Sequence, residues 1–228
     1  VSYETVRTTV ENTIHSNKKY TIIIEGGPGT GKSVIAVMLL AELTGKGLAI
    51  NFVTKTSAPR YVYSKKLIGN NYKKGFVREL FRSSGSFIDV PEDSFDCLVV
   101  DEAHRLQGKS GMFNHLGEDQ TKEIIRATKV SVFFIDEDQA VTMNDACTID
   151  KIIKTAHKEN SEVIYNEGQN LESQFRCNGS DGYLAFLDDV LGIRETNNYN
   201  IDDLNYDFKI IDDPVELKNI IFEKNKLN

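Results

Sequence analysis

The nine residues Glu25-Gly26-Gly27-Pro28-Gly29-Thr30-Gly31-Lys32-Ser33 constrain this chain more tightly than any other stretch. Gly26, Gly31, Lys32 and Ser33 complete the spacing G-x-x-x-x-G-K-[ST], in which backbone N–H groups at a helix start converge on an anion and the lysine adds a mobile positive charge. Read this way, Gly26, Gly27, Pro28, Gly29, Thr30, Gly31, Lys32 and Ser33 cradle a triphosphate, and the Ser33 hydroxyl holds Mg2+. The flanks agree. Tyr20 to Ile24 is a continuous apolar run suited to a strand covered on both faces, and Val34 to Leu43 is apolar almost all round, like a helix buried against a sheet.

A strand feeding a cradle and a helix is one unit of a repeating alternation, and the rest of the chain continues it. Val6, Val10 and Ile14 form the stripe of an amphipathic helix before the first strand. Gly45 and Gly47 end the cradle helix, and Leu48 to Val53 reads as a second strand. Ser57-Ala58-Pro59 opens a helix from Arg60 to about Ile68, and a second short helix runs from about Phe76 to Arg82. Phe95 to Val100 is a strand, Gln107 to Gly117 a Gly/Ser/Asn-rich loop, and about Glu118 to Thr128 a helix. Val130 to Ile135 is a further strand, followed by a helix near Thr148 to His157, a strand from Glu162 to Tyr165 and a helix from Asp181 to Leu191. Beyond Gly192 the sequence turns polar, so we expect a linker, a short strand at Phe208 to Ile211 and a closing helix from about Pro214, where proline suits the first turn. This order predicts an α/β fold: a mostly parallel sheet with helices on both faces.

Composition narrows the setting. The 228 residues suffice for one large domain, and no apolar run approaches membrane-spanning length. Cys97, Cys147 and Cys177 are scattered, with neither disulfide-framework nor zinc spacing, which predicts a reducing, cytoplasmic setting. The four histidines, His15, His104, His115 and His157, make no metal pattern, and most are read as surface or packing residues. Net charge is −7, against a surface coated for nucleic acid, yet the average hides an asymmetry. Between Lys55 and Arg82 stand eight cations and one acid, Glu79, a local basic surface able to steer a phosphate backbone.

The remaining chemistry comes from the ends of the other strands, the edge where ligands bind in open parallel sheets. Asp101 follows four apolar residues, which suits a carboxylate serving the Mg2+ shell, and Glu102 beside it is placed to polarise an attacking water. Gln139 closes the run Asp136-Glu137-Asp138-Gln139 after another strand. It is either a neutral donor to the terminal phosphate or a satisfied loop amide. Arg176 is the best candidate for a cation reaching the transferred phosphoryl group, with Phe175 offering a flat face to the base; read alone, core and surface roles stay equally open for both.

In order, GGPGTGKS, VVDEAHR, FIDEDQ and LESQFRC resemble motifs I, II, III and IV of superfamily 1 helicases, and more closely a family of bacterial helicase-domain proteins grouped with the Schlafen-type helicases. The resemblance runs from about Tyr20 to Leu191. It implies a RecA-like P-loop NTPase domain over residues 1–191, with residues 192–228 as linker and the start of an extension. It also implies ATP and Mg2+ as cofactors, Lys32 and Ser33 on the phosphates and metal, Asp101 and Glu102 as metal partner and catalytic base, and Gln139 as the link between phosphate state and nucleic acid. Arg176 becomes a finger toward the terminal phosphate, with Phe175 near the adenine. Thr54 and Lys55 fall where such helicases touch single-stranded DNA or RNA, and they adjoin the basic segment found from charge, where Arg60 and the rings of Tyr61, Tyr63 and Tyr72 are suited to phosphates and bases.

Two departures from that family's pattern stand out. After Leu191 there is no second glycine-rich or arginine-bearing motif, so the second RecA-like domain that would close over ATP is expected to lie outside this chain. Upstream of Tyr20 there is no glutamine-containing adenine-reading motif. The rival readings are a nucleotide-gated protein-binding module and a P-loop small-molecule kinase; the Asp-Glu-Ala-His-Arg run speaks against the kinase.

Overall fold

The computed structural model describes residues 2–14, 16–68, 74–110, 116–140, 147–165, 171, 181–193, 195–196 and 209–226. The chain divides into two compact units, Val1–Arg176 and Cys177–Asn228.

In the first unit, six strands form one sheet: β1 (Tyr20–Glu25), β2 (Ile50–Val53), β3 (Phe81–Arg82), β4 (Phe95–Val100), β5 (Thr128–Ile135) and β6 (Glu162–Ile164). Their spatial order is β3-β2-β4-β5-β1-β6. Every strand pairing in this sheet is parallel among the described residues, so all its strands present their C-terminal ends to one edge. The fold is α/β and RecA-like. The cradle strand β1 and the acid-bearing strand β4 lie on either side of β5.

Strand alternation explains why both faces are covered. Ile22 and Ile24 belong to one core cluster and Ile23 to the other, because successive side chains of a strand point to opposite faces. The first face packs against α1 (Ser2–Thr13), α2 (Lys32–Gly45) and α4 (Lys74–Leu80), through Val6 and Val10, Leu39 and Leu43, and Val77. The second packs against α5 (Gln120–Ala127) and α6 (Ile149–Lys158), through Ile124, Ile125 and Ile152. With both faces buried, the central strands read as continuous apolar runs rather than alternating ones.

Helix starts separate structural from functional ends. Asp119 caps α5 by accepting from Thr121 N at 2.9 Å, and Thr148 caps α6 by accepting from Lys151 N at 3.2 Å. Before α2 stands Gly31, with φ 89° and no capping side chain. That left-handed turn favours glycine, and it leaves the first N–H groups of α2 without a side-chain cap.

Two expectations fail locally. The helix expected to reach Arg82 stops at Leu80, and Phe81–Arg82 becomes an edge strand paired with Phe52 and Val53. The strand expected at Phe208 to Ile211 is not found: Phe208 lies outside the described residues, residues 209–211 are irregular, and Ile210 is 86 % exposed. The expected loop between Gln107 and Gly117 is clasped by a bridge, with Ser110 N donating to Leu116 O at 2.8 Å; residues 111–115 lie outside the described set. α3 (Ser57–Ile68) begins three residues before the expected Arg60.

The second unit contains α7 (Asp181–Val190) and α8 (Pro214–Lys226). α7 ends on Gly192 at φ 67°, with Ile193 N reaching back to Asp188 O at 2.8 Å, a left-handed C-terminal closure. α8 starts with the expected proline.

Candidate functional site

The site is assembled at the C-terminal edge of β1, β5 and β4. Thr30 Oγ1 donates to Gly27 O at 2.9 Å and braces the cradle from within. Lys32 Nζ lies across it, donating to Gly26 O and, at 2.7 Å, to Gly27 O. Gly26 is required by close approach. A Cβ there would lie 2.9 Å from both Leu171 Cβ and Thr30 Oγ1. Leu171 N also donates to Glu25 O at 3.0 Å, so the first residue of the fourth motif is laid directly against the cradle. Arg176 and Phe175 lie outside the described residues.

Asp101, one residue beyond β4, is 5 % exposed, and its Oδ2 accepts from Ser33 Oγ at 2.7 Å across the intervening strand. These are two hard oxygen donors side by side, the kind of pair that suits Mg2+, which keeps most of its own water. Burial pushes the Asp101 carboxyl above the usual carboxylate range, with the Ser33 hydroxyl opposing and the Glu102 charge adding to the rise.

Glu102 has φ 53°, a left-handed conformation that a non-glycine residue adopts only under constraint. The turn sends the two adjacent carboxylates in different directions. Asp101 reaches Ser33, whereas Glu102 Oε2 accepts from Thr56 Oγ1 at 3.3 Å on the loop after β2 and lies 3.8 Å from Arg105 Nη1.

At the end of β5 stands a residue that the sequence reading left out of the site. Asp136 is 5 % exposed, its Oδ2 accepts from Gln139 Nε2 at 2.6 Å, and the same oxygen lies 3.6 Å from Lys32 Nζ. The signal was present: Val130 to Ile135 ends in Asp136 just as the β4 run ends in Asp101. His104 also belongs to this neighbourhood. It is buried at 3 % exposure, burial lowers its pKa, its Nδ1 has no hydrogen-bond partner, and Glu102, Asp136, Arg105 and Lys32 all act on its charge.

The expected nucleic-acid residues separate. Thr54 is 1 % exposed, and its hydroxyl faces that of Thr56 at 3.3 Å. Lys55 is half-buried beside a polar pocket. Arg60 is half-buried, and Tyr61 is exposed with Lys65 Nζ 4.9 Å above its ring. Tyr63 is committed to packing, 5.7 Å from the Phe52 ring and 6.0 Å from Phe81, and Tyr72 lies outside the described residues.

The family model described as Schlafen group 3, DNA/RNA helicase domain, matches residues 19–228. No curated protein matches the chain. Among solved structures, a DNA replication initiation factor aligns over 99 % of this chain and 60 % of its own length, at 17 % identity and TM-score 0.41. AMPPCP-bound DnaA from Aquifex aeolicus aligns over 99 % and 61 %, at 16 % identity and TM-score 0.38. The chain thus spans 60–61 % of the length of these two structures. No described helix is long and apolar enough to cross a membrane.

Proposed function

The chain belongs to the Schlafen group 3 DNA/RNA helicase domain family, and on that premise we propose that it is the ATP-binding and ATP-hydrolysing RecA-like domain of a cytoplasmic, superfamily 1 helicase-type motor acting on single-stranded DNA or RNA. The observation that carries this reading is the 2.7 Å contact between Ser33 Oγ and Asp101 Oδ2, which brings the end of the cradle and the end of β4 together. A cradle that merely bound an anion would need no carboxylate there.

The residues divide the work. The N–H groups of Gly27 to Ser33 and the Lys32 ammonium hold the phosphates, Ser33 and Asp101 hold Mg2+, and Mg2+ when bound neutralises charge on the phosphate oxygens. Glu102 takes a proton from the attacking water as its oxygen bonds to the terminal phosphorus and the bond to the ADP oxygen breaks, giving ADP and inorganic phosphate. Gln139, steadied by Asp136, offers its amide to the terminal phosphate. Arg176 neutralises the transferred group and Phe175 meets the base. Thr54, Lys55, Arg60 and Tyr61 mark the strand-contacting side, with Thr54 acting through its loop. The nucleotide domain in this reading covers residues 1–191, residues 192–228 lead onward, and a second RecA-like domain completes the cleft.

Phosphate release by a longer protein containing this domain, with and without single-stranded DNA and RNA, tests the proposal. Stimulation by one of them is expected, and no stimulation by either would remove the motor reading. Without the second domain the chain binds ATP but turns it over slowly; near-full, strand-stimulated turnover by residues 1–228 alone would contradict the divided cleft.

A further inference from the structure

The strand that feeds the cradle ends on a residue for which the phosphate chemistry has no use. β1 is buried from Thr21 to Ile24 and closes on Glu25, a half-buried carboxylate one residue before Gly26. A negative charge in that place opposes a triphosphate in the cradle. Among the described residues no ammonium or guanidinium pairs with it. Its side-chain partner is a neutral donor: Tyr165, the residue after β6, gives its hydroxyl proton to Glu25 Oε2 at 2.9 Å.

The two flanks of β1 therefore carry different chemistry. Toward β5 and β4 lie Asp136 and Asp101, on the side where the terminal phosphate and Mg2+ belong in the proposed reading. A phosphate chain is linear, so a nucleotide with its terminal phosphate on that side carries its nucleoside out on the other, past β1 toward β6. That flank is already walled. Leu171 N donates to Glu25 O at 3.0 Å, and Leu171 Cβ leaves no room for a side chain at Gly26.

The sugar is the part of a nucleoside nearest its phosphates, and Glu25 directly precedes the first glycine of the cradle. A carboxylate accepts hydrogen bonds and donates none. The ribose 2′- and 3′-hydroxyls are adjacent donors that match it, whereas the ring nitrogens of adenine are acceptors too. An acid beside a phosphate-binding loop meets a ribose hydroxyl in the dinucleotide-binding folds as well. Tyr165, by bonding Oε2, fixes the plane of the carboxylate.

We propose that Glu25 is the sugar-selecting residue of the nucleotide site, its carboxylate accepting from the ribose hydroxyls, and that Tyr165 is the positioning residue that aims it. The inference rests on the reading of Gly26 to Ser33 as a nucleotide cradle, and it requires no hydrolysis. In a ribonucleotide the hydroxyls offset the charge that stands beside the phosphates. A deoxyribonucleotide meets that charge alone.

Isothermal titration calorimetry of the whole chain with the Mg2+ complexes of ATP, 2′-deoxyATP, 3′-deoxyATP and GTP gives the test. Loss of one hydroxyl or the other should weaken binding about tenfold or more, the factor a hydrogen bond to a charged group is worth. In Glu25→Ala the affinity ratio between ATP and that deoxynucleotide should fall to about one, and the deoxynucleotide should bind at least as tightly as it does to the parent, because the opposing charge is gone. General damage to the cradle would weaken both ligands instead. Tyr165→Phe keeps the ring and removes the hydroxyl, so the ratio should shrink about threefold with deoxynucleotide affinity unchanged.

Equal affinity of the parent for ATP and both deoxynucleotides overturns the selection and leaves the cradle standing. A ratio that survives Glu25→Ala overturns it too, and an unchanged ratio in Tyr165→Phe removes the positioning role. A preference between ATP and GTP that vanishes in Glu25→Ala, with both hydroxyls dispensable, would put the base edge at Glu25 and overturn the sugar assignment. Binding of no nucleotide at all removes the cradle reading, and the selection with it.

Discussion

The ends of β4 and β5 look alike in sequence and differ in what they hold. Each is an apolar strand delivering a buried acid, Asp101 or Asp136, followed by a tight 3-10 turn. Asp101 is bound by a hydroxyl and a backbone N–H, at 2.7 Å from Ser33 Oγ and 3.1 Å from Glu102 N, and burial keeps its proton affinity high. Asp136 faces the Lys32 ammonium and the Gln139 amide. In the proposed reading the first arrangement offers a carboxylate to a cation. The second is already balanced and positions two donors, one on each side. In the proposed reading chemistry is thus concentrated at β4 and alignment at β5, although both strands advertise themselves with the same pattern.

The strongest break in that comparison is Glu102→Gln. Loss of a general base costs roughly 10^2- to 10^4-fold in phosphate release, while binding of a fluorescent ATP analogue should hold within about twofold. Next is Asp101→Asn, expected to weaken Mg2+-dependent nucleotide binding by about 10- to 100-fold in Mg2+ titrations. The same change should raise the thermal midpoint of the nucleotide-free protein at neutral pH. Because the folded-state pKa of Asp101 lies above its unfolded value, ionising it disfavours the fold as pH rises past about 4, and asparagine removes that cost. At β5, Gln139→Ala should lower turnover only about tenfold with ATP affinity retained, as expected for a donor rather than a base.

The smallest effect concerns His104, which is buried beside both strand ends. Its folded-state pKa lies below its unfolded value, so its stability contribution is complete above about pH 6.5 and declines as pH falls through that value. Chemical-denaturation midpoints between about pH 7 and pH 5 should therefore fall less steeply in His104→Asn than in the parent. An identical slope would show that the imidazole does not titrate differently on unfolding.

The placement of the cradle after β1 and of Asp101 at the end of β4 was legible because its signals are local. Glycine spacing demands a particular loop, and an acid closing a short apolar run reads as the end of a buried strand. Asp136 carried the same local signal, but its significance depends on Lys32, which reaches it from the start of α2, the helix that follows the neighbouring strand β1. Phe81–Arg82 continued a helical pattern in sequence and became strand only because Phe52 and Val53 offered a pairing edge. Conversely, the run ending in Ile211 had strand-forming residues, and residues 209–211 form no strand. Glu102 was read as a base, but its left-handed turn and its tie to Thr56 depend on the neighbouring loop after β2 rather than on its own sequence context.

The most direct test is phosphate release from ATP in the presence of Mg2+ by a protein containing this domain, comparing the parent with Glu102→Gln, each with and without single-stranded DNA and RNA. The account predicts strand-stimulated release by the parent and none above background in the glutamine variant, with nucleotide still bound. Equal release by parent and variant, or release indifferent to both strands, would contradict it.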